Sequence, residues 1–115
     1  MILAIDFDGT IVEHKYPGIG DLLPFAKEVI SRLYSLGHYI IIWTCRTTAF
    51  DASLAQMFLT QAGIPYHTFN KNSHECDVQS YPKVYADIYI DDRQIGGLPT
   101  WPEIYKIITG EEFHA

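Results

Sequence analysis

The segment AIDFDGT, residues 4–10, ends an apolar run with two carboxylates, Asp6 and Asp8, two residues apart. Two later apolar runs also end in polar residues: HYIIIWT reaches Thr44 just before Arg46, and DIYI reaches Asp91 and Asp92 just before Arg93. Lys83 lies shortly before that last run. Two of the chain's three arginines thus follow run ends directly, beside the carboxylates. Four carboxylates gathered at one place repel one another, and some take up protons at neutral pH unless a cation compensates. An all-oxygen set of this kind suits Mg²⁺, which takes one or two carboxylates, several waters and a phosphate oxygen. Lys83, the Thr44 hydroxyl and the backbone N–H groups of the turn at Gly9 and Thr10 are then candidates to hold phosphate oxygens. Arg46 and Arg93 are further candidates for substrate contact. The chemistry such a set supports is phosphoryl transfer.

The elements that must bring these residues together are legible from patterning. ILAIDFD, HYIIIWTCR, YHTFN and DIYIDDR read as strands, and the runs from Ile2 to Phe7 and from Tyr39 to Trp43 are nearly continuous in apolar residues. Continuous rather than alternating runs belong to strands covered on both faces, as in parallel sheets. DLLPFAKEVISRLYSLG predicts a helix with Leu22, Ala26, Val29, Ile30 and Leu33 on one face, Pro24 in the first turn and Gly37 at the C-terminal cap. A second helix is expected from about Asp51 to Ala62, with Leu54, Met57 and Phe58 inward and Gly63 as its stop. A third runs roughly from Pro102 to Thr109, burying Ile104, Ile107 and Ile108. The alternation predicts one α/β domain over residues 1–115, Rossmann-like, with an open parallel sheet of about four strands in the order 3-2-1-4 and helices on both faces. Ligands of such sheets gather at the carboxyl ends of the strands, where all the charged run ends fall. The irregular stretches Thr10 to Asp21 and Asn70 to Pro82 are long enough to be functional loops.

The series DFDGT (Asp6 to Thr10), IIIWT ending in Thr44, Lys83, and IYIDD ending in Asp91 and Asp92 resembles, in order and spacing, the four motifs of the haloacid dehalogenase-like hydrolase superfamily. Because a second Asp follows the first by two residues, the chain is similar to the small phosphatase-type members. The resemblance implies a Mg²⁺-dependent phosphomonoester hydrolase. In it Asp6 attacks phosphorus and forms an aspartyl-phosphate, while Asp8 protonates the departing oxygen and then deprotonates the hydrolytic water. It also implies that Asp6 binds metal by its side chain and Asp8 by its backbone carbonyl. Asp92 is then the third protein ligand and Asp91 an outer or water-mediated one. With 33 residues between Thr10 and Thr44, and 38 between Thr44 and Lys83, there is no room for the cap domain that many members carry. A capless member with an open site is implied, acting on a bulky phosphorylated substrate or shielded by a neighbouring subunit in a homo-oligomer.

Other readings of the same residues stand beside this one. Asp6 and Asp8, or Asp91 and Asp92, also suit turns in which carboxylates accept backbone N–H groups. Arg46 and Arg93 suit ion pairs. A non-catalytic phosphate- or metal-binding module with the same fold is the alternative function. His67, His74 and Cys76 match no zinc spacing and read as loop residues, as does His14 after the first turn. Tyr81, Tyr85, Tyr89, Phe69 and Trp43 read as core or rim aromatics. With fourteen acidic against eight basic side chains and a net charge of −6, broad binding to nucleic acid or anionic membrane is not expected. No run is long enough to span a membrane, nothing resembles a signal peptide, and two cysteines make no disulfide framework, so a cytoplasmic protein is expected.

Overall fold

The computed structural model describes residues 1–74 and 83–115. Its strands are β1 (Ile2–Ile5), β2 (Tyr39–Ile42), β3 (Thr68–Phe69) and β4 (Ile88–Ile90), and its helices are α1 (Ala26–Ser35), α2 (Ala49–Ala62) and α3 (Trp101–Thr109). The strands form one parallel sheet in the order β3-β2-β1-β4. Both β1 and β2 are buried along nearly their whole length, as their unbroken apolar runs predict. The register sets Leu3 beside Ile40 and Ile5 beside Ile42. These four side chains are fully buried, and each contributes about 2 kcal/mol of burial free energy.

Helix placement corrects one expectation. The buried residues of α1, α2 and α3 all join the cluster that contains Leu3, Ile5, Ile40 and Ile42. The cluster on Ala4 and Ile41 instead gathers Val84, with Ile2, Tyr39, Trp43 and Ala86 packed against it, and has no helical residue. Among the described residues the helices therefore cover one face, not both. The steps from β1 to β2 and from β2 to β3 run in the same direction across the sheet, so crossovers of one hand put α1 and α2 on the same side. α3 packs against α1.

Helix ends explain the other departures. α1 begins only at Ala26, after Phe25 in a left-handed conformation, so Pro24 and Leu22 lie outside it. Leu22 pairs with Val12 across an isolated bridge instead. α2 starts earlier than expected because the Thr48 hydroxyl accepts the Asp51 N–H. Its buried line is Ala55 and Leu59, with Phe58 packed against the core and Met57 56% exposed. α3 gains a full capping box between Thr100 and Glu103 and buries Trp101, Ile104 and Tyr105, leaving Ile107 69% exposed. The indole of Trp101 supplies the anchoring area that the isoleucine pattern alone did not reveal.

Candidate active site

The carboxyl ends of β1, β2, β3 and β4 open into a cleft of about 780 Å³ lined by Asp6, Asp8, Thr44, Arg46, Asn70, Asp91, Asp92 and Arg93, among others. Four separate run ends thus meet, as an open parallel sheet requires. Lys83 is not brought there. It is exposed, and its Nζ sits 5.0 Å from the centre of the Tyr89 ring.

At the β1 end the chain turns sharply. The Phe7 carbonyl accepts the N–H groups of Thr10, Ile11 and Val12, and the Gly9 N–H donates to the Val12 carbonyl at 2.8 Å. Gly9 has φ 84°, and a Cβ there would collide with the Asp92 carboxylate. Only glycine lets the two acidic turns approach this closely. The Thr10 hydroxyl is buried and accepts the Asp92 N–H at 3.0 Å, while the Thr10 carbonyl accepts the Trp101 indole N–H at 2.9 Å. Gly9 and Thr10, expected to hold substrate, therefore bind the first turn to the last one: their N–H groups are already engaged within the fold.

The four carboxylates separate into two kinds. Asp6, Asp91 and Asp92 each offer an oxygen within 4.8 Å of the others. Burial pushes the Asp6 carboxyl up to about 7, the Phe7 N–H opposes this, and the neighbouring Asp91 and Asp92 add to it. Asp91 accepts the Arg93 N–H at 2.8 Å, which fixes the turn after β4. This donor set is all oxygen and crowded with negative charge, so it fits a hard divalent cation such as Mg²⁺.

Asp8 is the other kind. Its two oxygens accept from Arg46 Nε at 2.8 Å and Arg46 Nη2 at 2.9 Å. Arg46 is wholly buried, and it also donates to the carbonyls of Pro17 and Gly18 at 3.1 and 2.7 Å. Its guanidinium lies over Phe7 and Tyr16. Arg46 is therefore an internal ion-pair partner, which corrects its expected role in substrate contact. The stretch from Thr10 to Asp21 is a flap closed at its neck by the Val12–Leu22 bridge and by the Glu13 N–H on the Asp21 carbonyl. Arg46 ties its tip down from within.

Some residues of the cleft escaped the sequence reading. The Tyr16 hydroxyl donates to Asp51 at 2.8 Å, linking the flap to the first turn of α2. Asn70, at the end of β3, accepts the Thr44 N–H at 2.8 Å and donates to the Arg46 carbonyl. Asn70 is the polar residue that ends YHTFN, so the strand-end rule applied to all four runs would have found it. The Thr44 hydroxyl oxygen accepts the Arg46 N–H at 3.3 Å, and Trp43, Cys45 and His14 complete the rim. His67 stacks between Tyr34 and Tyr39 and accepts the Ile40 N–H, and His74 meets Tyr39 edge-on. Neither joins a metal-ligating group among the described residues. Cys76 and Tyr81 lie outside the described residues.

A solved structure of a conserved protein from Bacteroides thetaiotaomicron matches this chain with a TM-score of 0.88 and 38% sequence identity, over 98% of this chain and 93% of that one. The chain belongs to that protein's family. The family's shared α/β fold is thus the four-stranded parallel sheet described above. No family model matches the chain, and no curated protein matches it. No helix among the described residues is long and apolar enough to cross a membrane.

Proposed function

We propose that the chain is a Mg²⁺-dependent phosphomonoester hydrolase of the haloacid dehalogenase-like type, with Asp6 as its nucleophile. The observation that carries this reading is the meeting of Asp6, Asp91 and Asp92 in the cleft, with the Asp6 carboxyl held near 7 by burial and by its acidic neighbours. Asp6, Asp91 and Asp92 would hold the ion, which when bound neutralises charge on the transferring phosphoryl group. A carboxylate oxygen of Asp6 bonds to phosphorus as the ester P–O bond breaks, and the departing oxygen takes up a proton from the Asp8 carboxyl, which the second step restores. Water then bonds to phosphorus, the Asp6–phosphorus bond breaks, and a proton passes to a base, for which Asp8 is placed. Arg46 orients Asp8, and the Thr44 hydroxyl keeps a proton with which to meet a phosphate oxygen. The test is release of nitrophenol from p-nitrophenyl phosphate with Mg²⁺ and with chelator. Full activity in chelator, or in Asp6→Asn, would sink the assignment.

A second reading is favoured by one observation. Both Asp8 oxygens accept from a buried guanidinium, so Asp8 is held within the fold by a two-bond ion pair. A phosphoryl- and metal-binding domain, in which phosphoenzyme forms but hydrolyses slowly, accommodates such a locked Asp8. Phosphoenzyme that accumulates from acetyl phosphate without steady turnover would favour it.

A further inference from the structure

We propose that Asn70 is a positioning residue whose side-chain amide sets the Thr44 hydroxyl against the phosphoryl group of the substrate, an inference that rests on the phosphoester reading of the cleft. β3 ends at Phe69, and the Asn70 N–H still bonds to β2, at the Ile42 carbonyl, 2.7 Å away. Beyond that point the side chain takes over. Its Oδ1 accepts the Thr44 N–H at 2.8 Å, and its Nδ2 donates to the Arg46 carbonyl at 3.3 Å. One amide therefore holds both ends of the segment from Thr44 to Arg46. Inside this brace the segment closes on itself, because Thr44 Oγ1 accepts the Arg46 N–H at 3.3 Å. The Thr44 hydroxyl then keeps its proton for a phosphate oxygen in the cleft that Thr44 and Asn70 both line.

The backbone of Asn70 shows that the site asks for this residue. Its φ is 53°, in the left-handed region. Asn enters that region more readily than most residues with a side chain, whereas glycine enters it freely but has no amide. A turn alone would need only the backbone conformation; the brace also needs a side chain that donates and accepts at once. Asn70 acts without touching the reacting atoms, by fixing where the Thr44 oxygen stands. Displacing such a group by about 1 Å lowers rates by up to about a hundredfold. The same brace holds the backbone from which the Arg46 side chain reaches Asp8.

The experiment is calorimetric titration of inorganic phosphate into the full chain in Mg²⁺, with Asn70→Gly, Asn70→Gln, Thr44→Val and the Asn70→Gly, Thr44→Val double variant beside the wild type. Asn70→Gly keeps the left-handed backbone and removes the side chain, while Asn70→Gln keeps an amide set too far out by a methylene. Each Asn70 variant should weaken phosphate affinity about threefold to tenfold with the number of sites per chain unchanged, and Thr44→Val should weaken it at least as much. On the Thr44→Val background, Asn70→Gly should add less than about twofold, because the hydroxyl it positions is gone. Four results would overturn the proposal: unchanged affinity in either Asn70 variant, the full loss persisting without the Thr44 hydroxyl, fewer sites at unchanged affinity, or no phosphate binding by the wild type. Hydrolysis of p-nitrophenyl phosphate by the same samples separates it from the hydrolase reading. Turnover with kcat and KM indifferent to Asn70 removes the proposal and keeps the hydrolase. Phosphate binding that depends on Asn70 through Thr44, without turnover, keeps the proposal and removes the hydrolase.

Discussion

Asp6 and Asp8 stand two residues apart on one turn, yet the fold treats them oppositely. Asp8 is neutralised from inside by a buried arginine that clasps both its oxygens and the flap above it. Asp6 faces Asp91 and Asp92 and has no such partner among the described residues, so its carboxyl is pushed up to about 7. The difference teaches where the molecule keeps charge for its own architecture and where it leaves charge for a ligand. A carboxylate matched by an internal cation is held in a fixed orientation by the fold itself. One crowded by like charges, in a cleft, is a place where an external cation lowers the free energy.

The comparison can be broken most severely at Asp6. Asp6→Asn should cut the Mg²⁺-dependent hydrolysis of p-nitrophenyl phosphate by about a thousandfold or more, since it removes the nucleophile itself. The same variant should fold at least as well as the wild type in chelator at neutral pH, because it relieves the crowding. At the other carboxylate the expected effect is on stability. Arg46→Ala should lower unfolding free energy by about 3–5 kcal/mol in urea titrations, because it strands Asp8 and frees the flap. Arg46→Lys should restore little of this, lacking the fork that spans both Asp8 oxygens. A loss below about 1 kcal/mol in Arg46→Ala would place the pair among ordinary surface ion pairs and undo the contrast.

A pH series sharpens the contrast without mutation. The Asp6 carboxyl is raised in the folded protein from 3.8 to about 7, so its contribution to stability is fully present below pH 3.8 and is lost as pH rises through about 7. In chelator, Tm should therefore decline between these limits by on the order of 5 °C from this group, after allowing for its partial exposure to solvent. Mg²⁺ should raise Tm most above pH 7, where it no longer competes with a proton. Asp6→Asn should flatten both trends. A stabilisation by Mg²⁺ that is equal at pH 4 and pH 8 would contradict the assignment of Asp6 as a ligand.

The smallest expected effect lies at the link between the two acidic turns. Thr10→Val removes the hydroxyl that accepts the Asp92 N–H and should cost about 1 kcal/mol in thermal unfolding. If Asp92 is held in place by this bond, Mg²⁺ should also bind more weakly to the variant by calorimetry.

Much of this could be read before any coordinates. Strand runs as continuous as IIIW announce a covered parallel sheet, and their polar ends announce the edge where ligands gather. Seven of the expected site residues, Asp6, Asp8, Thr44, Arg46, Asp91, Asp92 and Arg93, do converge there. Helix ends were harder, because a left-handed Phe25 and a capping Thr48 depend on where the chain enters and leaves the sheet. So was the facing of Ile107 and Met57, since helical periodicity gives the spacing of a buried stripe and not which of two adjacent stripes meets the sheet.

The order of apolar and acidic runs by itself determined the parallel sheet and the meeting of carboxylates at one rim, because both follow from local periodicity and from the connections that a parallel sheet permits. Tertiary structure alone decided how the charges are shared out. Arg46, Lys83 and Arg93 are alike in the sequence as cations near run ends, but one is buried against Asp8, one lies on Tyr89 and one is exposed at the cleft. Pairing of charges depends on distance and burial across residues tens of positions apart, and no local pattern encodes that.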